Sequence, residues 1–270
     1  MLWNAVNGNV SLKNTKMSYV SFGHGEKKLV ILPGLSDGLT TVRGKALLLA
    51  PPYRRWLDRF TVYMFSRRDD IPDGFSIRDM ARDQAEAIAS LGLAKVSVMG
   101  VSQGGMIAQY LAAYHPDLVE KLVIAVSAPR ADDMIRANLD RWMDLAKRGD
   151  HRNLMIDTAE NSYSDGYLKR YRKLYPVIGS IGRSRGYGRF FADAKAIYGF
   201  DASNDLCRIV CPTLIIGGSE DRIVGIDASR ELNEMIPGST LYVYEGLGHA
   251  AYEEAADFND RVFGFLESQD

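Results

Sequence analysis

Residues 95–114 read KVSVMGVSQGGMIAQYLAAY: an apolar run, a serine flanked by glycines, then apolar residues at helical spacing. Such a run is typical of a strand buried on both faces, and the residues from Gln103 onward are typical of a helix. A serine in so tight a turn adopts an unfavourable backbone conformation, and Gly100 and Gly104 lack the side chains that would clash with neighbouring chain. The first backbone N–H groups of the helix would point at the site beside the serine, where negative charge would develop during a reaction. The stretch therefore predicts that Ser102 is a nucleophile between a strand and a helix.

Short apolar runs and helical patterns alternate along most of the chain. The apolar runs are KKLVILPG, RFTVYMFS, KVSVMGVS, KLVIAVSA, PTLIIGG and STLYVYEG, and the helical patterns cover residues 76–91, 103–114, 228–235 and 258–266. Ser76 and Asp79 predict a capping box at the first of these helices. The alternation predicts an α/β fold with a mainly parallel, doubly wound sheet. Two earlier segments, NVSLKN and KMSYVSFG, are separated by too little chain for a crossover helix, so we expect an antiparallel meander at one edge.

The alternation is interrupted between about residues 131 and 204, where helical, polar and aromatic patterns replace the buried strands. We interpret residues 131–204 as a helical cap inserted between two strands, and residues 1–130 and 205–270 as one core domain. Because of where it is inserted, we expect this cap to lie over the active site as a lid. The alternative is that its helices pack on the flank of the core.

The composition argues against several classes of partner. The 270 residues carry a net charge of −1, so no whole-chain field attracts nucleic acid or an anionic membrane. The apolar runs are far shorter than the roughly 20 residues that a membrane helix needs, and the N-terminus lacks the pattern of a signal peptide. We therefore expect a cytoplasmic protein that acts on a small molecule, with neither nucleic acid nor membrane as a partner. A homodimer is compatible with the sequence.

Two further features of the sequence are expected to have no part in the function. Two basic pairs are read as solvated surface: Arg67 with Arg68, and Arg183 with Arg185. Cys207 and Cys211 are too few for a zinc site without nearby histidines. We expect both cysteines to be small buried hydrophobes that flank a strand.

A nucleophilic serine needs a base, and the chain has four histidines: His24, His115, His151 and His249. The first lies in a polar turn between early strands, the second ends a helix, and the third sits in a charged loop of the insertion. His249 follows the last strand in EGLGHAAYEE. A loop there leaves the carboxyl edge of the sheet, where the functional groups of such sheets gather. We therefore predict that His249 is the base.

The third member of such a site is a carboxylate on another loop at the same edge. Asp221 comes directly after the strand PTLIIGG, in IIGGSEDRIV. Glu220 beside it, and Asp132 or Asp133 beyond the strand KLVIAVSA, are the alternatives. This carboxylate would hold the imidazole in one tautomer and stabilise the imidazolium as it forms. The order serine, aspartate, histidine along the chain matches the order stated for α/β-hydrolases.

The motifs GVSQGG, GGSEDRIV and GLGHA resemble those of the α/β-hydrolase superfamily, in its lidded esterase-like branch, and the likeness covers nearly the whole chain. The resemblance implies an eight-stranded sheet with a helical cap inserted after the sixth strand. It also implies an oxyanion hole formed by the backbone N–H groups of Leu35 and Gln103. Pro33 stands where the family usually has histidine, but backbone donors do not depend on that side chain. The serine at the turn separates this chain from relatives that resemble haloalkane dehalogenases or epoxide hydrolases, which place aspartate there.

With these residues the chain is expected to hydrolyse a small-to-medium carboxylic ester through an acyl-enzyme, as a carboxylesterase does, with no metal or organic cofactor. An enol-lactonase, a C–C bond hydrolase and a proline-type aminopeptidase with the same triad are alternatives. A lyase, a perhydrolase and a catalytically silent binding protein are further rivals.

Residues around the predicted site bear on the substrate. Aromatic side chains in the insertion favour a partly apolar pocket, and they are Trp142, Tyr163, Tyr167, Tyr171, Phe190, Phe191 and Tyr198. Arg43 and Lys45 lie near the loop around Pro33, Gly34 and Leu35, here called the oxyanion loop, and could receive a substrate carboxylate. We favour a solvent-facing position for both.

Overall fold

A computed structural model describes residues 2–175 and 186–268 of the protein. Within these residues, eight strands form one sheet in the order β1-β2-β4-β3-β5-β6-β7-β8. The strands are β1 Val6–Leu12, β2 Thr15–Gly23, β3 Lys27–Leu32, β4 Phe60–Arg68, β5 Val96–Val101, β6 Val119–Ala125, β7 Thr213–Gly218 and β8 Thr240–Tyr244. The predicted meander is confirmed, since β2 pairs antiparallel with both β1 and β4. All other pairs are parallel, which confirms the mainly parallel sheet.

The α-helices of the described residues are α1 Ala46–Leu49, α2 Ile77–Ser90, α3 Gln103–Tyr114, α4 Asp133–Lys147, α5 His151–Ser162, α6 Asp165–Tyr171, α7 Gly188–Tyr198, α8 Ile226–Met235, α9 Ala251–Glu254 and α10 Phe258–Glu267. The capping box predicted at α2 is present, because the Ser76 hydroxyl accepts from the Asp79 amide and the Asp79 carboxylate accepts from the Ser76 amide. Over the two described ranges, no helix has the length and apolar character needed to cross a membrane.

Helices cover both faces of the sheet, because successive side chains of a strand point to opposite sides. On β5, Val98 belongs to a core that contains residues of α2, α3 and α8. Its neighbour Met99 belongs to the opposite core, with Val262 and Phe263 of α10. This two-sided burial explains why the parallel strands are continuously apolar instead of alternating.

The chain between β6 and β7 leaves the sheet and returns to the same place. Ala131 N donates to Phe200 O (2.9 Å), and Ala202 N donates to Pro129 O (2.8 Å). Helices α4 to α7 lie between these two ends, in the segment for which helices were predicted. The pairing anchors the segment at its base. A role as a lid stays a prediction.

Two interpretations of the sequence are wrong: that Arg67 and Arg68 are solvated, and that both cysteines are buried. Arg67 is not solvated surface, since only 1% of it is exposed, and Arg68 is largely covered where it pairs with Asp83. Cys207 is exposed instead of buried, because it lies in a short helical turn that buries its neighbour Leu206. Cys211 is half-buried. The other predicted basic pair, Arg183 with Arg185, lies outside the described residues.

We predict that Gly104→Ala destabilises the protein severely. A Cβ at this position would lie 1.9 Å from the backbone oxygen of Leu32 and 2.8 Å from that of Pro33, so α3 would have to move off β3. Overpacking against backbone should cost about 3 kcal/mol or more in the free energy of unfolding, measured by urea denaturation. Gly188→Ala is the matched control, since a Cβ there meets nothing within 4 Å. Equal stabilities for the two variants would contradict the packing argument.

Candidate active site

The chain passes from β5 into α3 through Ser102, whose φ of 53° and ψ of −119° lie outside the regions that L residues favour. The Ser102 amide donates to Ala125 O on β6 (2.9 Å), which ties the turn to the sheet. A Cβ on Gly100 would lie 2.3 Å from Gly104 O, so glycine is required at this close approach. The strained turn holds the Ser102 side chain at the carboxyl edge of the sheet.

A buried histidine–aspartate pair lies at the same edge. His249 Nδ1 is 2.8 Å from Asp221 Oδ2, and the two side chains are 8% and 1% exposed. The second oxygen, Asp221 Oδ1, accepts from the amides of Ile223 (2.8 Å) and Val224 (3.0 Å). Burial opposes the charge of Asp221, but the attraction of His249 and these hydrogen bonds together hold the pKa of the carboxyl below its usual value. Asp221 is therefore an ionised acceptor near neutral pH.

The contact with Asp221 determines what the imidazole can do. An ionised carboxylate only accepts, so His249 Nδ1 carries the proton that it donates, and Nε2 of the neutral ring is left as an acceptor. His249 and Ser102 both line one cavity at the sheet edge. The structure thus brings together the three side chains predicted as nucleophile, base and orienting acid. It does not bring in the alternatives for the acid: Glu220 is exposed, Asp132 caps α4, and Asp133 faces solvent.

The two residues predicted as oxyanion donors both lie next to Ser102. Leu35 begins a short helical turn, Leu35–Gly38, directly after Gly34. The backbone of Gly34 passes close to the serine, since a Cβ added to it would lie 3.3 Å from Ser102 Cβ. Gln103 is the first residue of α3, so its amide has no intrahelical acceptor. Among the described residues, neither the Leu35 nor the Gln103 amide donates to a protein acceptor. Both are therefore available to an oxygen bound beside Ser102.

The cavity that Ser102 and His249 share has a volume of about 140 Å³. Its remaining walls are mainly apolar, and they include Leu35, Leu39, Met106, Ile135, Leu139, Trp142, Phe190, Ile197, Ile223 and Val224. We call it the inner cavity. A cavity of about this size accommodates a benzene ring, so it suits a short or compact apolar group.

A second cavity of about 290 Å³, here the outer cavity, adjoins the inner one and shares Ser36, Met155, Thr158, Ser162 and Tyr252 with it. Its wall includes a ladder of tyrosines from the insertion. The Tyr163 and Tyr167 ring centroids are 4.5 Å apart, and those of Tyr167 and Tyr171 are 4.2 Å apart. The aromatic residues of the insertion thus divide: Trp142 and Phe190 line the inner cavity, the ladder lines the outer one, and Phe191 and Tyr198 line a separate surface hollow.

Arg43 and Lys45 line neither cavity. Arg43 Nη2 bonds Asp69 (2.8 Å) at the surface, and Lys45 Nζ donates to Thr40 (2.7 Å). These contacts agree with the surface position that the sequence favoured. Over residues 2–175 and 186–268, no group of three potential metal ligands comes together.

A cluster of charged side chains that was not predicted from the sequence lies behind the oxyanion loop, and it is formed by Asp37, Arg67, Arg189 and Asp193. Asp37 Oδ2 accepts from the Arg67 amide (2.9 Å) and from Arg189 Nη2 (3.1 Å). Asp193 is fully buried, and its carboxylate oxygens have no hydrogen-bond partner in the described part of the chain. Burial raises its pKa to about 6, against the attraction of the two arginines. The signal available in the sequence was the basic pair Arg67–Arg68 at the end of a buried strand, since the carboxyl ends of the strands form the functional edge of the sheet.

Comparison with known proteins agrees with this geometry. A family model described as the alpha/beta hydrolase fold matches residues 29–256. The chain belongs to the α/β-hydrolase family. The predicted resemblance and fold class are therefore confirmed.

Individual relatives of this α/β-hydrolase differ in the bond that their names specify. The chain is 26% identical over 252 residues to "Putative carbamate hydrolase RutD" of Caulobacter sp. (strain K31), and the match covers 87% of this chain and 90% of that protein. It is 28% identical over 240 residues to the pimeloyl-[acyl-carrier protein] methyl ester esterase of Chromobacterium violaceum, covering 78% and 85%. Among solved structures, the α/β-hydrolase MGS-M2 from a Medee basin deep-sea metagenome library superposes with a TM-score of 0.83 at 20% identity, covering 97% and 98%.

We predict a pH-dependent gain in stability for Asp193→Asn. A carboxyl whose pKa rises from 3.8 unfolded to about 6 folded binds more protons in the folded state, so its contribution to stability is lost as the pH rises from about 4 through 6. The full loss corresponds to about 3 kcal/mol. Asparagine removes the buried charge, so the gain in the free energy of unfolding should be about 1 kcal/mol larger at pH 8 than at pH 5.

Urea denaturation of both proteins at the two pH values measures this difference. Asp227→Asn is the control, because that side chain is 85% exposed and should show no such pH dependence. A gain from Asp193→Asn that is the same at pH 5 and pH 8 would show that the carboxyl is not charged at the higher pH.

Proposed function

We propose that this α/β-hydrolase is a serine carboxylesterase that cleaves a small-to-medium ester, with Ser102 as nucleophile, His249 as general base and Asp221 as its orienting acid. The observation that carries the proposal is that Ser102 and His249 line the same inner cavity. Ser102 lies on a strained turn, and Nδ1 of His249 is hydrogen-bonded to the buried Asp221. A silent binding protein has no need of that strain or of that buried pair.

The geometry supports an acyl-enzyme mechanism. His249 Nε2 takes the proton of Ser102 as the serine oxygen attacks the ester carbonyl, and the amides of Leu35 and Gln103 bind the resulting oxyanion. The tetrahedral intermediate collapses as His249 gives its proton to the departing alcohol. Water then enters, and its oxygen attacks the acyl carbonyl as His249 removes one of its protons. The second tetrahedral intermediate collapses to a carboxylic acid as His249 gives that proton to the departing Ser102 oxygen.

We further propose that the acyl group occupies the inner cavity and the alcohol extends into the outer one. Ser102, which keeps the acyl group after the first step, lines only the inner cavity. Ala250, beside the histidine that protonates the alcohol, lines the outer cavity. The tyrosine ladder there offers ring faces to an aromatic alcohol. Carbamates present the same kind of carbonyl to the serine, and the name of one relative supports their inclusion as a second substrate class.

The triad is tested by the hydrolysis of p-nitrophenyl butyrate. We expect Ser102→Ala and His249→Ala each to lower kcat by about 10⁴-fold or more, because each removes a group that makes or breaks bonds. Asp221→Asn should cost about 10⁴-fold, since it favours the wrong tautomer of His249. Ser90→Ala and His24→Ala are matched controls on exposed side chains and should retain full activity. A Ser102→Ala variant that still turns over at the wild-type rate would exclude the proposed function.

The assignment of the two cavities is tested with Tyr167→Ala, which opens the middle of the ladder. We expect kcat/KM for 2-naphthyl butyrate to fall about tenfold, the equivalent of one lost aromatic contact, because the naphthyl ring loses its stacking partner. Methyl butyrate, whose alcohol does not reach the ladder, should be hydrolysed within about twofold of the wild-type rate. Tyr198→Ala, outside both cavities, is the control. Equal losses for the two esters would refute this assignment.

A further inference from the structure

The side chain of Arg67 lies behind the oxyanion hole and contacts both of its halves. It is 1% exposed, at the carboxyl end of β4. Its Nη2 donates to the carbonyl oxygen of Pro33 (2.7 Å) and to the side-chain oxygen of Gln103 (2.8 Å). Pro33 precedes the loop that presents the Leu35 amide. Gln103 presents the other amide. One guanidinium nitrogen therefore joins the two segments that carry the predicted donors.

Arg67 also holds the oxyanion loop at its far end. Its backbone amide donates to Asp37 Oδ2 (2.9 Å), so Pro33 and Asp37 are both fixed to one residue of β4. The Leu35 amide lies between these two points. Gln103 is restrained on its other side as well, because its Nε2 donates to the backbone oxygen of Asp193 on α7 (2.9 Å).

The Arg67 guanidinium is buried together with two carboxyl groups. Asp37 is buried beside it, and Asp193 approaches without hydrogen-bonding to any described residue. The guanidinium Nε likewise lacks a partner among the described residues. A positive charge in a dry site is screened far less than one in water. The attraction among these opposite charges therefore holds the Arg67 side chain in place behind the oxyanion loop.

We propose that Arg67 is the positioning residue of the oxyanion hole: it fixes the Leu35 and Gln103 amides in the geometry that binds the oxyanion, without touching the substrate. This inference rests on the proposed function, since it assigns a role in the same reaction. Donors that are already in place cost no reorganisation when charge develops, and loss of one such donor typically lowers kcat by about 10²–10³-fold. Losing the group that orients both donors should have an effect of similar size.

The test compares Arg67→Met with Arg68→Met. Both remove a largely buried arginine from the end of β4, but the Arg68 side chain pairs with Asp83, away from the oxyanion loop. With p-nitrophenyl butyrate, we expect Arg67→Met to lower kcat about 100-fold with KM within about threefold, because ground-state binding does not use the oxyanion. Its Ki for a trifluoromethyl ketone, which forms an oxyanion on Ser102, should rise by a similar factor. Arg68→Met should retain kcat within about threefold.

A second variant keeps the proposal testable if Arg67→Met does not fold, which circular dichroism and thermal melting would reveal. Gln103→Met retains the backbone amide and the approximate side-chain length, but it removes the acceptor for Arg67 and the donor to the Asp193 backbone oxygen. We expect a loss in kcat of about tenfold, again with unchanged KM, because the Leu35 side of the oxyanion hole keeps its hydrogen bond from Arg67 to the Pro33 carbonyl oxygen.

The outcomes separate this inference from the proposed function. A wild type that hydrolyses no ester overturns the proposed function and this inference with it. If the wild type is active and the folded Arg67→Met variant retains kcat or changes only in KM, the role of Arg67 is overturned and the triad stands. Where Arg67→Met is unfolded, Gln103→Met decides in the same way.

Discussion

The left-handed backbone of Ser102 depends on a very close approach between helix α3 and strand β3. Gly104 lies where a side chain would meet the Leu32 backbone, and Gly100 lies where one would meet Gly104 itself. Only glycine fits these positions, so the helix can start directly at the end of the strand, and its first amide belongs to Gln103, the residue after the serine. The same contact sets the distance from Ser102 to the loop after β3. The nucleophile and both predicted oxyanion donors therefore follow from one packing constraint.

Burial of charge supports this arrangement and carries a cost. Arg67, Asp37 and Asp193 are removed from water behind the oxyanion loop, and Asp193 has no hydrogen bond from its carboxylate in the described residues. Replacement of buried ion pairs by apolar side chains of similar volume is often neutral or stabilising in proteins. We infer that the charges are kept there because they orient the loop and its amides, in the way that functional sites often retain strain that the rest of the fold compensates.

The sequence was sufficient for the features that depend on local pattern. Continuous apolar runs identified the parallel strands, and the Ser76–Asp79 box identified the start of α2, because both signals lie within a few residues. The serine turn and the aspartate and histidine loops were found because each follows a strand, and topology brings strand ends together. The prediction that Arg67 is solvated was wrong, because two adjacent arginines are typical of a protein surface and the sequence does not show that Asp37 and Gln103 lie beside Arg67. Contacts over 30 residues or more along the chain, such as these, leave no periodic signal.

The most direct test of the central claim, that Ser102 is an activated nucleophile, is mass spectrometry after reaction with an alkyl fluorophosphonate. This reagent is attacked by an activated serine and leaves a stable phosphonyl group on its oxygen. We predict one adduct per chain on the peptide that contains Ser102, and greatly slowed labelling in His249→Ala, which lacks the base. An unlabelled protein, or an adduct on a different residue, would contradict the account.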